Sequence, residues 1–159
     1  FCIHSEIYKS RDNINSIAHA HPMYGKTFST LGKTLDPISQ DSCAFYERTA
    51  LFADYDGVAN GPDEGINIAK ALGEKDFVIL QNHGILTTGT MVDTTIWYFL
   101  NMEDACKSQL LAEAVGKPII IPHETACATR DYVANDLSAY VSFQPTVDVL
   151  WEEEPDLLD

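Results

Sequence analysis

The run Phe77-Val78-Ile79-Leu80-Gln81 constrains this chain more than any other stretch. Residues of almost unbroken apolar character cannot alternate between core and solvent, so they read as a central strand covered on both faces. Such a strand requires one layer of structure above it and another below. Asn82-His83-Gly84 breaks it, an extended pattern resumes over Ile85 to Thr88, and a long helix is predicted over Asp93 to Val115, with Gly116 as its stop. The apolar positions Ile96, Phe99, Leu100, Met102, Cys106, Leu110 and Leu111 give that helix a broad stripe.

Upstream, Phe1 to Arg11 has near-helical spacing of Phe1, Ile3, Ile7 and Tyr8, and Arg11-Asp12-Asn13 reads as a turn. Ile14 to His21 alternates as a strand, with Ile14, Ser16, Ala18 and Ala20 on one face and Asn15, Ile17, His19 and His21 on the other. Pro22 ends it and starts a short helix to Leu31, followed by a turn-rich stretch from Gly32 to Gln40. Ser42 to Phe52 suits either strand or helix. A loop with Gly57, Asn60, Gly61 and Pro62 leads into a helix over Asp63 to Leu72. A strand at Pro118 to Ile121, a helix from Glu124 to about Tyr140 and a frayed acidic tail over Trp151 to Asp156 complete the expectation. The mixture lacks a strict strand–helix–strand rhythm, which gives an α/β or α+β class with helices layered on a mixed sheet. At 159 residues and 45% apolar content the chain supports one hydrophobic core. Phe1 opens in mid-pattern without a Met or a cap, so the sequence reads as truncated at its amino end.

Ten basic residues face 24 acidic ones, a formal net charge of -14. That field repels nucleic acid and anionic membranes and tolerates a cation, although solubility alone also accounts for it. Cys2, Cys43, Cys106 and Cys127 form no CxxC pair and read as reduced core thiols. With no signal-like segment and no apolar run near 18 residues, the expected location is the cytoplasm. Gly57, Gly61 and Gly65 do not form a dinucleotide fingerprint, so no nicotinamide or flavin is implied.

Histidines carry the chemistry. Residues two apart on a strand point the same way with Cβ atoms roughly 6–7 Å apart, so His19 and His21 can converge on one ion at about 2.0–2.1 Å. The same spacing also suits two solvated imidazoles. His83, at the end of the most buried strand beside Gly84, needs a partner for its ring, either a carbonyl or a metal. Together the three offer a divalent-metal site, zinc by preference, with one position left for substrate or water. Asp41, Asp54 and Asp56 are candidates to orient the imidazoles, while His4 and His123 read as structural, without a second ligand at metal spacing.

Ala18-His19-Ala20-His21 followed by Ile79-Leu80-Gln81-Asn82-His83-Gly84-Ile85-Leu86 resembles the class II aldolase and adducin amino-terminal domain, in a fungal or bacterial-type form. Phe1-Cys2-Ile3-His4, Ile7-Tyr8, Arg11, Asp54 to Gly57 and Val92 to Glu103 extend the match over most of the chain. The resemblance implies a three-layer α/β/α domain with a mixed, largely antiparallel sheet over residues 1–145, followed by an acidic tail over 146–159. It implies zinc, one per protomer, on His19, His21 and His83, a homotetramer, and an aldehyde-lyase acting on a sugar phosphate or related hydroxy-carbonyl compound through a metal-stabilised enediolate. Epimerase, dehydratase and decarboxylase chemistry are relatives of that reaction. The family's acid/base glutamate is expected upstream of Phe1, and Glu6 does not replace it. The alternative is a non-enzymatic, adducin-like partner of actin.

Overall fold

The computed structural model describes residues 2–54, 57 and 62–158. Four strands form one sheet in the order β1-β4-β3-β2, with β1 at Ser16–Ala20, β2 at Thr49–Phe52, β3 at Phe77–Leu80 and β4 at Gly84–Gly89. β1 and β3 both run antiparallel to β4, and β2 runs parallel to β3, so the sheet is mixed and largely antiparallel.

Every residue of β3 is buried, as the unbroken apolar run demands. Its alternate side chains feed two cores. Phe77 and Ile79 pack with Ile85, Phe28, Phe45, Tyr98 and Met102 on one face, while Val78 and Leu80 pack with Leu86, Ala50, Ile7 and Ile68 on the other. The first core is closed by α2 (Met23–Ser29) and α4 (Val92–Val115), and the second by α1 (Cys2–Ser10) and α3 (Pro62–Leu72). This is the three-layer α/β/α arrangement. Each fully buried Ile, Leu or Phe contributes roughly 1.5–3 kcal/mol of transfer free energy, so β3 is the thermodynamic centre of the fold.

Several local expectations are corrected. Ser42 to Phe52 is neither one strand nor one helix: Ser42–Phe45 makes a 3-10 turn, and β2 begins at Thr49. Pro118 to Ile121 joins no strand, because among the described residues its backbone finds a single backbone partner, Ile121 N–H donating to Pro37 O at 2.9 Å. The expected helix from Glu124 to Tyr140 divides into α5 (His123–Val133) and α6 (Asp136–Glu153), with the Asn135 side chain accepting from Ser138 N–H to start the second. The tail expected to fray is helical through Glu153 and continues as a 3-10 turn over Pro155–Leu158.

The buried face of α4 is also rotated from the apolar stripe. Thr94, Thr95, Tyr98, Met102, Ala105, Cys106 and Gln109 face inward, whereas Leu100 and Leu111 are exposed. The threonines and the glutamine of that face find bonds: Thr94 and Thr95 hydroxyls donate to Met91 O, and Gln109 accepts from Asp36 N–H while its amide donates to Asp36 Oδ2 and Glu113 Oε1. Satisfied in this way, they occupy core positions that a purely apolar pattern does not reveal.

Candidate metal centre

His19 lies on β1, opposite Leu86 of β4, and His21 lies just past the strand end before Pro22. His83 stands in the tight turn that joins β3 to β4. That turn is made by Asn82, whose φ of 57° is left-handed, and by His83 N–H donating to Leu80 O at 3.0 Å. Asn is one of the few side chains that enter this region at low cost. Gly84 then brings the start of β4 against the end of β1. A Cβ at Gly84 would stand 2.5 Å from Ala20 O and 3.0 Å from His21 Cδ2, so only glycine permits the approach that sets His83 beside His21.

The three imidazoles converge. Ring centroids of His19 and His21 are 5.2 Å apart, His19 and His83 4.9 Å, and His21 and His83 4.5 Å. One ring nitrogen from each lies within 4.8 Å of the others. His19 Nδ1 sits 2.9 Å from Ile85 O, so Nδ1 carries the proton and donates, leaving Nε2 with its lone pair. The sequence offered Asp41, Asp54 and Asp56 for that orienting role; a backbone carbonyl of β4 fills it for His19 instead. Asp54 is exposed, Asp56 lies outside the described residues, and Asp41 stands at the start of the 3-10 turn.

Burial lowers the His19 pKa to about 4, against the opposing Ile85 hydrogen bond and with help from the neighbouring His83, His21 and His4. His83 is also lowered, first by burial and then by His21. Both rings are therefore neutral at physiological pH, the state in which imidazole ligates a metal. His21 is exposed, which opens the cluster to solvent on one side. Neutral nitrogen donors, convergent and with one fixed tautomer, fit a borderline divalent ion. Among the described residues no carboxylate or thiol joins this group. Glu6 instead pairs with Lys9 on α1.

One supporting residue escaped the sequence reading. Glu103, on α4, accepts from the backbone N–H groups of Tyr24 at 2.8 Å and Gly25 at 2.5 Å, capping the first turn of α2 immediately after His21-Pro22. A carboxylate at a helix amino terminus is favourable both as acceptor and against the helix dipole. No local signal marks it, since it acts across 78 residues. His4, read as structural, is on α1 close enough to depress His19. His123 lies elsewhere, on α5 with Tyr46, Cys127 and Glu47 around it, so the expectation that it has no second ligand at metal spacing is corrected by the potential ligand atoms of Glu47 and Cys127 within 4.8 Å. Of the thiols, Cys43 and Cys106 are buried, whereas Cys2 and Cys127 are partly exposed; all four are free. A surface groove of about 530 Å³ lies along α5 by Gln40, Thr129 and Tyr132, and has Glu124 as its one ionisable carboxylate. Its size does not make it the reactive site, because the convergent, pKa-shifted groups are at the histidines.

Residues 1–110 match the family described as class II aldolase and adducin N-terminal domain. The decarboxylase NovR of Streptomyces niveus is 37% identical over 157 residues, 99% of this chain and 58% of that protein. Among solved structures, the L-fuculose 1-phosphate aldolase from Glaciozyma antarctica PI12 superposes with a TM-score of 0.87 at 40% identity, over 97% of this chain and 58% of that one. Rat alpha-adducin (Rattus norvegicus) is 36% identical over 119 residues, 73% of this chain and 16% of its own length. The chain thus spans less than two thirds of each of these relatives. With the paired histidine motifs on one three-layer sheet and this extent of similarity, the chain belongs to the class II aldolase and adducin N-terminal domain family.

Proposed function

We propose that this domain is the metal-binding part of an aldehyde-lyase that cleaves a carbon–carbon bond in a sugar phosphate or related hydroxy-carbonyl compound. The observation that carries the reading is the convergence of His19, His21 and His83 with two of the rings held neutral by burial. These residues would hold one zinc ion per protomer and leave a position facing solvent at His21. A divalent ion there supplies Lewis-acid polarisation of carbonyl and hydroxyl oxygens.

The chain's own residues do the positioning. Ile85 O fixes the His19 tautomer, the Asn82 turn and Gly84 fix His83 against His21, and Glu103 anchors the segment that follows His21. The proton-moving carboxylate is proposed to stand apart from the three ligands, because none of the described carboxylates joins the histidine cluster. Similarity to proteins named as a decarboxylase and as an L-fuculose 1-phosphate aldolase supports this chemical class, since decarboxylation and aldol cleavage both break a carbon–carbon bond. A homo-oligomer, tetrameric by analogy, in the cytoplasm completes the proposal. No helix among the described residues is long and apolar enough to cross a membrane.

Two measurements test it. Elemental analysis should find zinc that is lost in the His19→Ala, His21→Ala, His83→Ala triple variant. The natural full-length protein, loaded with zinc, should release dihydroxyacetone phosphate from L-fuculose 1-phosphate or an analogous ketose phosphate, or carbon dioxide from a carboxylated analogue. The similarity to alpha-adducin keeps one second reading in play. Cosedimentation with actin filaments together with no lyase or decarboxylase turnover would replace the enzyme by an adducin-like interaction domain.

A further inference from the structure

We propose that Glu47, His123 and Cys127 form a second divalent-cation site of zinc-selecting chemistry, on the surface between α5 and the turn that leads into β2, in addition to the histidine cluster. His123 and Cys127 are four residues apart on α5, which places both side chains on one helical face. Glu47 arrives from 76 positions earlier than His123, so the three donors are assembled by the fold rather than by local sequence.

Their separations fit an ion. In a tetrahedral zinc site with bonds of about 2.0–2.3 Å, neighbouring donor atoms stand roughly 3.3–3.8 Å apart. Here Cys127 Sγ lies 3.7 Å from Glu47 Oε2 and 3.8 Å from His123 Nδ1, and the same Nδ1 lies 3.7 Å from Glu47 Oε1. The nitrogen–oxygen separation is too long for a hydrogen bond, the thiol donates to Glu47 Oε2, and all three distances are close to those of donors around a shared centre.

A second, independent observation is the backbone of Glu47. Its φ is 60°, in the left-handed region that a glutamate enters only at a cost of about 1 kcal/mol or more, and such conformations concentrate where a side chain must be aimed. From that turn position the carboxylate reaches both His123 and Cys127. The imidazole is also held: Tyr46 Oη lies 3.1 Å from His123 Nδ1 and the Tyr46 ring stands edge-on to it with centroids 5.9 Å apart, which fixes the ring beside Glu47 and Cys127. Arg130 Nη1 approaches Glu47 Oε2 at 3.3 Å, while Arg130 Nε donates to Asp131. The guanidinium thus occupies one carboxylate oxygen and leaves Oε1 toward the imidazole.

A bare histidine–glutamate ion pair needs no sulfur within reach. The nitrogen, sulfur and oxygen set selects a borderline ion such as zinc over magnesium or calcium, which prefer oxygen alone. One thiolate and one carboxylate balance the charge of such an ion, and water would complete the shell. Occupied, the site would clip α5 to the segment before β2.

Cobalt(II) is the probe, because a thiolate bound to it gives a near-ultraviolet charge-transfer band that the sulfur-free histidine cluster cannot give. Reduced, metal-free protein titrated with cobalt(II) should develop this band to one equivalent, and His83→Ala should keep it. Cys127→Ser and His123→Gln should each abolish it, and zinc stoichiometry should fall from two to one in Cys127→Ser. Glu47→Gln should keep the band and weaken cobalt binding at least tenfold. Absence of the band in the wild-type chain, its survival in Cys127→Ser, or unchanged affinity in Glu47→Gln would each overturn the proposal. The two sites fail separately: a wild-type chain with the band but no sulfur-free equivalent would sink the histidine centre and leave this site standing.

Discussion

His19 donates through Nδ1 to the carbonyl oxygen of Ile85 at 2.9 Å, a bond that joins neighbouring strands and aims Nε2 of the same ring at His21 and His83. The sheet itself thereby sets the tautomer of a potential ligand. Metal affinity is expected to depend on each ring of the cluster unequally, because His19 is held by this strand-to-strand bond whereas His21 is exposed just past the end of β1.

Removing His83 should cost more than loosening a support. His83→Ala is expected to weaken zinc binding by more than about 100-fold, the upper end of the effect of losing a partner that merely orients a ligand. Competition with a chromogenic chelator at neutral pH measures it. A loss below tenfold would show that His83 does not ligate.

Gly84→Ala should damage both fold and site. The added methyl would meet Ala20 O, and relief requires β1 to shift from β4, an overpacking expected to cost about 1–3 kcal/mol. Urea unfolding of the metal-free protein should show the loss, and zinc affinity should fall in the same variant. A variant as stable as the parent would mean the strands part here without penalty.

The metal-free protein should lose stability on acidification. His19 has a folded pKa of about 4, below its ordinary 6.5, so the unfolded chain binds more protons between those values. The His19 contribution is fully present above about pH 6.5 and is lost as pH falls through about 4. His83, lowered in the same direction, adds to the trend. Urea midpoints at pH 7, 5.5 and 4.5 should fall more steeply for the parent than for His19→Gln, and parallel slopes would contradict it.

Glu103→Ala should leave two N–H groups of α2 without their acceptor and destabilise the fold by about 1–2 kcal/mol, as loss of a helix cap does. Glu103→Gln, which keeps one acceptor oxygen, should recover part of that. Thermal unfolding of both variants decides whether the carboxylate is a positioning residue for the segment after His21.

The parts legible in sequence were those with short-range physical signatures. β3 announced itself because unbroken apolar character permits one environment, and His19 with His21 because strand period is two. The break at Asn82-His83-Gly84 was visible as well. Pro118 to Ile121 misled because β-branched residues favour extended backbone whether or not a neighbouring strand exists; Ile119 is in fact 89% exposed. The split between α5 and α6 had a signal in Asn135-Asp136, a cap that the apolar spacing obscured. His123 and Cys127 were readable as an i, i+4 pair, but Glu47 was not, and Glu103 acts on residues 78 and 79 positions away. Contacts of that range are properties of the tertiary fold alone.

Among the described residues β1 is an edge strand, hydrogen-bonded in the sheet to β4 and to no second neighbour. Edge strands are the first to peel away in native-state fluctuations. His19 belongs to this strand and His21 to its end, whereas His83 belongs to the turn beside the most buried strand. An ion shared by them would act as a rivet through the seam between a loose edge and a rigid centre. The amides of Ser16–Ala20 would then exchange with solvent at a rate set by metal concentration, and the outer rim of the sheet would harden only when the protein is charged with its ion.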